Sequence, residues 1–291
     1  MIHRTVFHNG RLLSVEQVRL SPGQAGLLSG WGLFTTIRII EGVPFAFERH
    51  WQRLARDAER THCPFPFQEQ TVRAQLGELL RANDVKEGCA RMYAIYNQFG
   101  IWQSDEGFPP ADLLMYSAEL PSHRDRARLG LRQHGRYAAS PLAGVKVTSW
   151  LNNLWNLHEA QQAGFDEVLL LNERGEVSEC TAANIFCVRG GRVVTPPLAS
   201  GCLAGITRSV LLEIGPPIGI PVEERTLFPE DLYSAEEVFI SSTNRNVIPV
   251  TEVNGRVVGS AKKPAMVELE KAFASYIRHY VGTHTPAVGK L

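Results

Sequence analysis

In the stretch GVKVTSW, residues 144–150, one lysine stands between two valines. The chain has six lysines against twenty-four arginines, and Lys86, Lys262, Lys263, Lys271 and Lys290 sit in polar or terminal surroundings, so Lys146 is the exception. If the stretch is a strand, alternation turns Val145 and Val147 to one face and Lys146 with Thr148 to the other. Two placements are open: the solvent face of a half-buried strand, or the wall of a cleft. In a cleft, partial desolvation lowers the lysine pKa and frees a neutral amine to act as nucleophile or base.

Three further stretches carry groups that would serve such an amine. In VSECTAANIF, Glu179 is either a solvated turn residue or a carboxylate able to pair with a protonated pyridine nitrogen, the partner that pyridoxal chemistry requires. In GCLAGITR, Gly205 precedes Ile206 and Thr207 at an expected helix start, where free backbone N–H groups and a hydroxyl make either a simple cap or an anion cup. ISSTN adds the hydroxyls of Ser242 and Thr243. Arg53, on an expected helix, is either a surface arginine or a forked donor for a phosphate.

These groups have to be held by a fold. With 291 residues, 44% apolar and 21% charged, the chain has the make-up of a globular protein of one large or two modest domains. Thirty residues of each sign cancel, which speaks against a nucleic-acid footprint or an anionic membrane surface and for a small-molecule substrate. Cys63, Cys89, Cys180, Cys187 and Cys202 form no CxxC pair, and the opening MIHRTVFHNG has no apolar signal segment, so a reduced, cytoplasmic setting is expected. None of the nine histidines shows metal-ligand spacing, and there is no GxxxxGK[ST], GxGxxG, GxSxG or HExxH.

Turn chemistry orders the elements. Asn9-Gly10 predicts a tight hairpin, Glu41-Gly42 a second strand pair, and ERHWQRLARDAERTH a helix whose buried face is Trp51, Leu54, Ala55 and Ala58. QEQTVRAQLGELLRAND predicts another helix, and ARMYAIYNQFGIW and ADLLMYSAEL predict strands. ELPSHRDRARL is charged, carries Pro121 and loses periodicity, which predicts a linker. Beyond it come a helix ending at Gly164, hairpins at Arg174-Gly175 and Gly190-Gly191, a helix after Gly205, a strand within EEVFISSTNRNVIPV, and a closing helix from Pro264. The expected division is residues 1–119, a linker at 120–129, a larger domain at 130–282 and a tail at 283–291.

In this order and spacing, GWGLFTTIRI, HWQRL, GVKVTSWLNN, DEVLLLNERGEVSECTAANIF, TPPLASGCLAGITRSVL and EEVFISSTNRNVIPV resemble the class IV (fold type IV) pyridoxal-phosphate enzymes. That family includes branched-chain aminotransferases, D-amino acid aminotransferases and aminodeoxychorismate lyases, and the resemblance runs from about residue 5 to residue 280. It implies an α+β, two-domain fold: a small N-terminal α/β sandwich, a larger β-barrel-like C-terminal domain, and pyridoxal 5'-phosphate at their interface. It implies that Lys146 forms the internal aldimine, that Glu179 faces the ring nitrogen, and that Arg53, Ile206, Thr207, Ser242 and Thr243 hold the phosphate. Phe34, Thr36, Arg38 and Arg91 fall at substrate-binding positions. The implied reaction transfers an amino group between a branched-chain or similar amino acid and a 2-oxo acid in a homodimer, without nucleic-acid or membrane partners.

Two departures bear on the substrate. Phe34-Thr35-Thr36-Ile37-Arg38 stands where branched-chain enzymes commonly read F-E-G-[IL]-[RK], and Trp31 replaces the aspartate of a usual G-D-G. The paired threonines and ECTAAN are more similar to the lyases, which release pyruvate and form 4-aminobenzoate. Trp31, Phe34, Trp102 and Trp150 are candidates for the pocket wall.

Overall fold

Asn9 and Gly10 both take positive φ (46° and 84°), and the turn they form joins β1 (Ile2–His8) to β2 (Arg11–Ser14). In the computed structural model, which describes residues 1–20, 23–97, 109–260 and 264–284, this hairpin opens a six-stranded sheet. After the four-residue helix α1 (Ala25–Leu28) come β3 (Gly32–Ile40) and β4 (Val43–Pro44), turning through Glu41 and Gly42, again with positive φ. Then follow α2 (Phe47–Thr61), α3 (Glu69–Ala82), β5 (Gly88–Tyr96) and β6 (Ala111–Ala118). The sheet order is β2-β1-β6-β5-β3-β4.

The two faces of this sheet differ, because the side-chain period is two. Thr35, Ile37, Ala90, Met92, Ala94 and Met115 are all fully buried on the side where α2 packs on β3 and α3 on β1 and β6. On the other face, Arg91, Tyr93, Leu114 and Tyr116 remain half-exposed. α2 forms as its spacing predicts, with Glu48 in the first turn and Arg60 in the last complementing the helix dipole. Its buried side holds Trp51, Leu54 and Ala58, and also the polar residues His50, Arg53, Asp57 and Thr61.

The second set of elements begins with β7 (Ala127–Arg132), followed by α4 (Leu151–Gln162), β8 (Glu167–Leu171), β9 (Val177–Cys180), β10 (Asn184–Arg189) and β11 (Arg192–Thr195). α5 (Ile206–Ile214), β12 (Val222–Glu224), α6 (Pro229–Tyr233), β13 (Glu237–Ser242), β14 (Asn246–Val253), β15 (Arg256–Val257) and α7 (Pro264–His284) complete it. Nine strands form one sheet, ordered β12-β11-β10-β13-β14-β7-β8-β9, with β15 on β14. The sheet has to curl. β9 and β10 are five positions apart, about 24 Å in a flat sheet, yet three residues join Cys180 to Asn184, a reach of about 14 Å. The backbone N–H of Cys180 in fact meets the Ala183 carbonyl at 2.8 Å. The barrel-like form therefore follows from strand order and loop length. Its interior is packed by Leu129, Leu169, Val177, Ile185, Val238 and Val250, all fully buried.

The expected boundaries need correcting. Residues 127–129 of the expected linker are strand: β7 alternates buried Ala127 and Leu129 with exposed Arg128, and it pairs in parallel with both β14 and β8. The charges that disguised it point outward. The division is also not one cut. Contacts group Met1–Pro121, Lys146–Trp150 and Ile277–Leu291 as a first unit, and Ser122–Val145 with Leu151–Tyr276 as a second. A parallel β7–β8 pair needs a crossover connection, and the lysine stretch lies on it, leaving the second unit for five residues. Residues 283 and 284 of the expected tail end α7. Among the described residues, no helix is long and apolar enough to cross a membrane.

Candidate active site

Residues 144–150 do not form the regular strand that their pattern predicts. Val147 alone makes a bridge, to Leu33 of β3, flanked by hydrogen bonds from the Phe34 N–H to the Lys146 carbonyl (3.1 Å) and from the Thr148 N–H to the Gly32 carbonyl (2.8 Å). The stretch thus docks on the N-terminal half of β3, on the edge that β4 covers further along. Two glycines make the approach possible. A Cβ on Gly30, whose φ is +68°, would lie 2.7 Å from the Ser149 Cβ, and one on Gly32 would lie 2.9 Å from the Ala94 carbonyl oxygen. The GWG run is therefore explained by close backbone packing around the lysine.

Lys146 is half-buried, and its Nζ lies 4.5 Å from the centroid of the Phe34 ring. That puts the amine on the face of the six-stranded sheet opposite α2 and α3. Phe34 stacks on Tyr93 (5.6 Å, 16°) and meets Trp150 edge-on at 6.1 Å, so three aromatic rings gather near the lysine. Thr36 is directly opposite Arg91, and Arg91 is opposite Tyr116. Arg91 Nη1 donates to the Tyr93 hydroxyl at 3.3 Å, and the Tyr93 and Tyr116 hydroxyls are 3.3 Å apart. Burial, together with Tyr93, pushes the Tyr116 phenol up, which keeps it protonated. Arg38 is further along the same face, with Nη2 3.8 Å from Glu87; burial lowers its pKa and leaves its Nε without a hydrogen-bond partner.

The paired threonines part company here. Thr36 faces Arg91, whereas Thr35 points to α2 on the opposite face, where its hydroxyl meets His50 Nδ1 (2.7 Å) and accepts from Arg53 Nη2 (2.9 Å). Asp57, one turn beyond Arg53, accepts the backbone N–H of Lys146 through Oδ2 at 3.2 Å. Burial raises the Asp57 pKa, against the hydrogen bond from Lys146 and the charges of Arg53, Arg56 and Arg60. Trp31 donates its Nε1–H to the Thr61 carbonyl (3.1 Å) and packs edge-on against Tyr96. Trp102 lies outside the described residues.

In the second unit, Glu179 is the third residue of β9 and is 8% exposed. It is not a solvated turn residue. Oε1 accepts from Arg136 Nε and Oε2 from the Leu203 N–H, both at 3.0 Å, while Arg136 also donates to Asn153 Oδ1 at 2.9 Å. A carboxylate has about four acceptor positions, so two remain for another N–H. The nine-residue helix α5 starts at Ile206, and its N-cap is Gly205, which supplies no side-chain cap. Ile206 and Thr207 are nevertheless buried. A buried, uncapped helix start with an adjacent hydroxyl is the donor set a phosphate needs. Ser242 Oγ accepts the Arg245 N–H at 3.3 Å, inside the turn that carries Thr243 from β13 to β14. Arg245 Nη1 is anchored at 2.9 Å on buried Glu167, which also receives the Thr181 hydroxyl.

Gly205 carries a prediction of its own. A Cβ there would fall 2.0 Å from Asn184 Oδ1, and Asn184 is tied by its Nδ2 to the Leu203 carbonyl at 2.9 Å. Gly205→Ala is expected to destabilise the protein by about 1–3 kcal/mol through overpacking, measured as a lower denaturant midpoint with unchanged slope. An unchanged midpoint would mean that Asn184 turns aside freely.

The structure thus puts Lys146, Phe34, Thr36, Arg38, Arg53 and Arg91 in the first unit, and Glu179, Ile206, Thr207, Ser242 and Thr243 in the second. Sequence reasoning missed His50, Asp57, Tyr93 and Tyr116. Helical spacing from Arg53 could have found His50 and Asp57, and strand alternation from Arg91 could have found Tyr93, whereas Tyr116 comes from the neighbouring strand β6. Arg136, 43 residues from Glu179, had no local signal.

The family model described as amino-transferase class IV matches residues 32–253. A protein of Methanocaldococcus jannaschii assigned as a branched-chain-amino-acid aminotransferase is 31% identical, with 88% of this chain and 90% of that protein covered. The aminodeoxychorismate lyase of Bacillus subtilis is 28% identical over 95% of this chain and 96% of its own. Among solved structures, the branched-chain aminotransferase of the thermophilic archaeon Thermoproteus uzoniensis, with norvaline, superposes with a TM-score of 0.86 at 28% identity, covering 97% of this chain and 96% of that one.

Proposed function

The chain belongs to the class IV aminotransferase family, and from that premise we propose that it is a pyridoxal-phosphate-dependent aminotransferase acting on branched-chain or similar amino acids and 2-oxo acids. The observation that carries this reading is the Lys146 amine over Phe34, on the accessible sheet face that also bears Thr36 and Arg91. The residues present fit the cofactor. The uncapped amides of Ile206 and Thr207, the Thr207, Ser242 and Thr243 hydroxyls and Arg53 suit its phosphate, Glu179 suits a protonated ring nitrogen, and Lys146 provides the amine. When bound, pyridoxal 5'-phosphate supplies an electron sink for negative charge at the substrate Cα.

The chain's own groups do the rest. Lys146 Nζ, freed as a neutral amine, takes the proton from the substrate Cα and delivers it onward. Phe34, Tyr93 and Trp150 offer an apolar wall for an aliphatic side chain, while Arg91 and Arg38 offer cationic partners for carboxylates. A homodimer is part of this reading, supported by Leu151, Leu154 and Trp155, exposed at helical spacing on α4; sedimentation at the mass of one chain would count against it. A cytoplasmic setting is supported by five cysteines that form no disulfide.

The test is a half-reaction screen. The purified protein is expected to be yellow, to lose its visible absorbance on addition of a branched-chain L-amino acid, and to regain it with a 2-oxo acid. Thr36 favours a second reading, aminodeoxychorismate lyase, because it puts a hydroxyl opposite Arg91 on the lysine's face. Release of pyruvate from aminodeoxychorismate with no 2-oxo acid added, and no response to L- or D-amino acids, would replace the first reading with the second.

A further inference from the structure

Thr35, His50 and Arg53 form a buried, hydrogen-bonded polar group beneath the sheet face that carries the lysine. Thr35 is fully buried, and His50 and Arg53 are 1% and 5% exposed. Among the described residues, the Thr35 hydroxyl has two hydrogen-bond partners, Arg53 Nη2 at 2.9 Å and His50 Nδ1 at 2.7 Å. A guanidinium only donates, so the hydroxyl oxygen accepts from Arg53. Its own proton then has one available acceptor, His50 Nδ1, and a buried hydroxyl proton left without an acceptor is costly. Satisfying both the oxygen and the proton of the Thr35 hydroxyl therefore fixes a direction: Arg53 N–H to Thr35 Oγ1, and Thr35 O–H to His50 Nδ1. The imidazole is neutral and carries its proton on Nε2. Independent of this count, burial first, and then the charges of Arg53 and Lys146, hold the His50 pKa well below the ordinary histidine value.

Resting on the cofactor reading above, we propose that Thr35 and His50 are positioning residues for Arg53, aiming its guanidinium for the phosphate through this one-way relay. The guanidinium is a planar fork whose value to a phosphate depends on its angle. At the end of a long side chain, a fixed acceptor at Nη2 removes the rotation that would otherwise be lost on binding. Neither Thr35 nor His50 has to touch the cofactor for this.

The experiment is the equilibrium affinity of the apoprotein for pyridoxal 5'-phosphate, followed by absorbance, in a cycle of Thr35→Val, Arg53→Gln and the double variant. Thr35→Val keeps the shape and removes the hydroxyl. It is expected to weaken binding roughly 10- to 100-fold, the range of a hydrogen bond to a charged group. Thr35→Ser is expected to restore affinity to within about twofold of the wild type, and Thr35→Val is expected to have little effect once Arg53 is glutamine. A lower melting temperature with unchanged affinity in Thr35→Val, or a full effect in the Arg53→Gln background, overturns the proposal. If Thr35→Val does not fold, nitrogen NMR of wild-type apoprotein decides: a neutral His50 protonated on Nε2 at pH 7 supports the relay, and an Nδ1-protonated or cationic ring overturns it. A wild type that takes up no cofactor at all overturns the cofactor reading as well, whereas uptake with a normal Thr35→Val overturns only the relay.

Discussion

Replacing Lys146 with alanine is expected to lower turnover by at least two to four orders of magnitude, the range over which a positioned proton-transfer group acts, and to abolish borohydride fixation of the cofactor to the chain. The fold should survive. The Lys146 side chain is half-buried and makes a cation–π contact with Phe34, worth about 0.5–1 kcal/mol at such a site. Its backbone ties to Asp57, Phe34 and the β3 edge do not need the side chain. Lys146→Ala should therefore melt within a few degrees of the wild type and still bind cofactor reversibly through its phosphate. Lys146→Arg separates charge from chemistry: a guanidinium keeps the positive charge over Phe34 but does not shed its proton in the accessible pH range. It should be as inactive as the alanine variant. Either variant with near-normal turnover would remove Lys146 from the chemistry and with it the proposed function.

Much of the site was legible because chemistry restricts which residues do rare things. A lysine between valines in a lysine-poor chain drew attention, and the amine is on the accessible sheet face beside three aromatic rings. Gly205 marked the start of α5, and the helix begins one residue later. What did not show in the sequence was partnership at long range. Glu179 looked like a hairpin residue, and the ion pair that buries it comes from Arg136, 43 positions earlier, on a loop whose path is set by the β7–α4–β8 crossover. Thr35 and Thr36 read as one motif, although strand alternation alone separates them. Only Thr36 shares the lysine's face, so of the paired threonines only one bears on the likeness to the lyases.

The same division holds for the fold. Hairpins announced by Asn9-Gly10, Glu41-Gly42 and Gly190-Gly191 formed where expected, because positive φ at those positions is a local property. β7 was hidden because its outward residues are arginines, so charge density masked an alternating pattern that ends in buried Leu129 and Gly130. EEVFISSTNRNVIPV holds two strands, not one, turning at Thr243–Arg245 with Asn246 at positive φ. The grouping of Lys146–Trp150 with the first unit was not legible at all. It depends on Gly30 and Gly32 admitting a distant stretch of backbone, and nothing in either segment names its partner.

Glu179→Gln is expected to cut turnover about 10²- to 10³-fold, the loss typical when one preorganised electrostatic group is removed, while leaving the cofactor reducible onto Lys146. The two effects separate because the amide keeps the size of the side chain but loses its charge. The amide oxygen can still accept from either Arg136 Nε or the Leu203 N–H, but its NH₂ then faces the other donor. Arg136, 16% exposed at its side chain, also loses its counter-charge. Breaking a buried pair from one side costs about 3–5 kcal/mol, and the bond to Asn153, with the remaining exposure of the pair, brings the expected stability loss to the lower end of that range. Arg136→Gln is the control. It breaks the same ion pair and should destabilise similarly, yet it leaves a carboxylate at position 179 to hold a proton on the ring nitrogen. Its turnover should fall far less than that of Glu179→Gln at a temperature where both are folded. If the two variants lose turnover equally, Glu179 acts only by anchoring Arg136, and its assignment to the ring nitrogen fails.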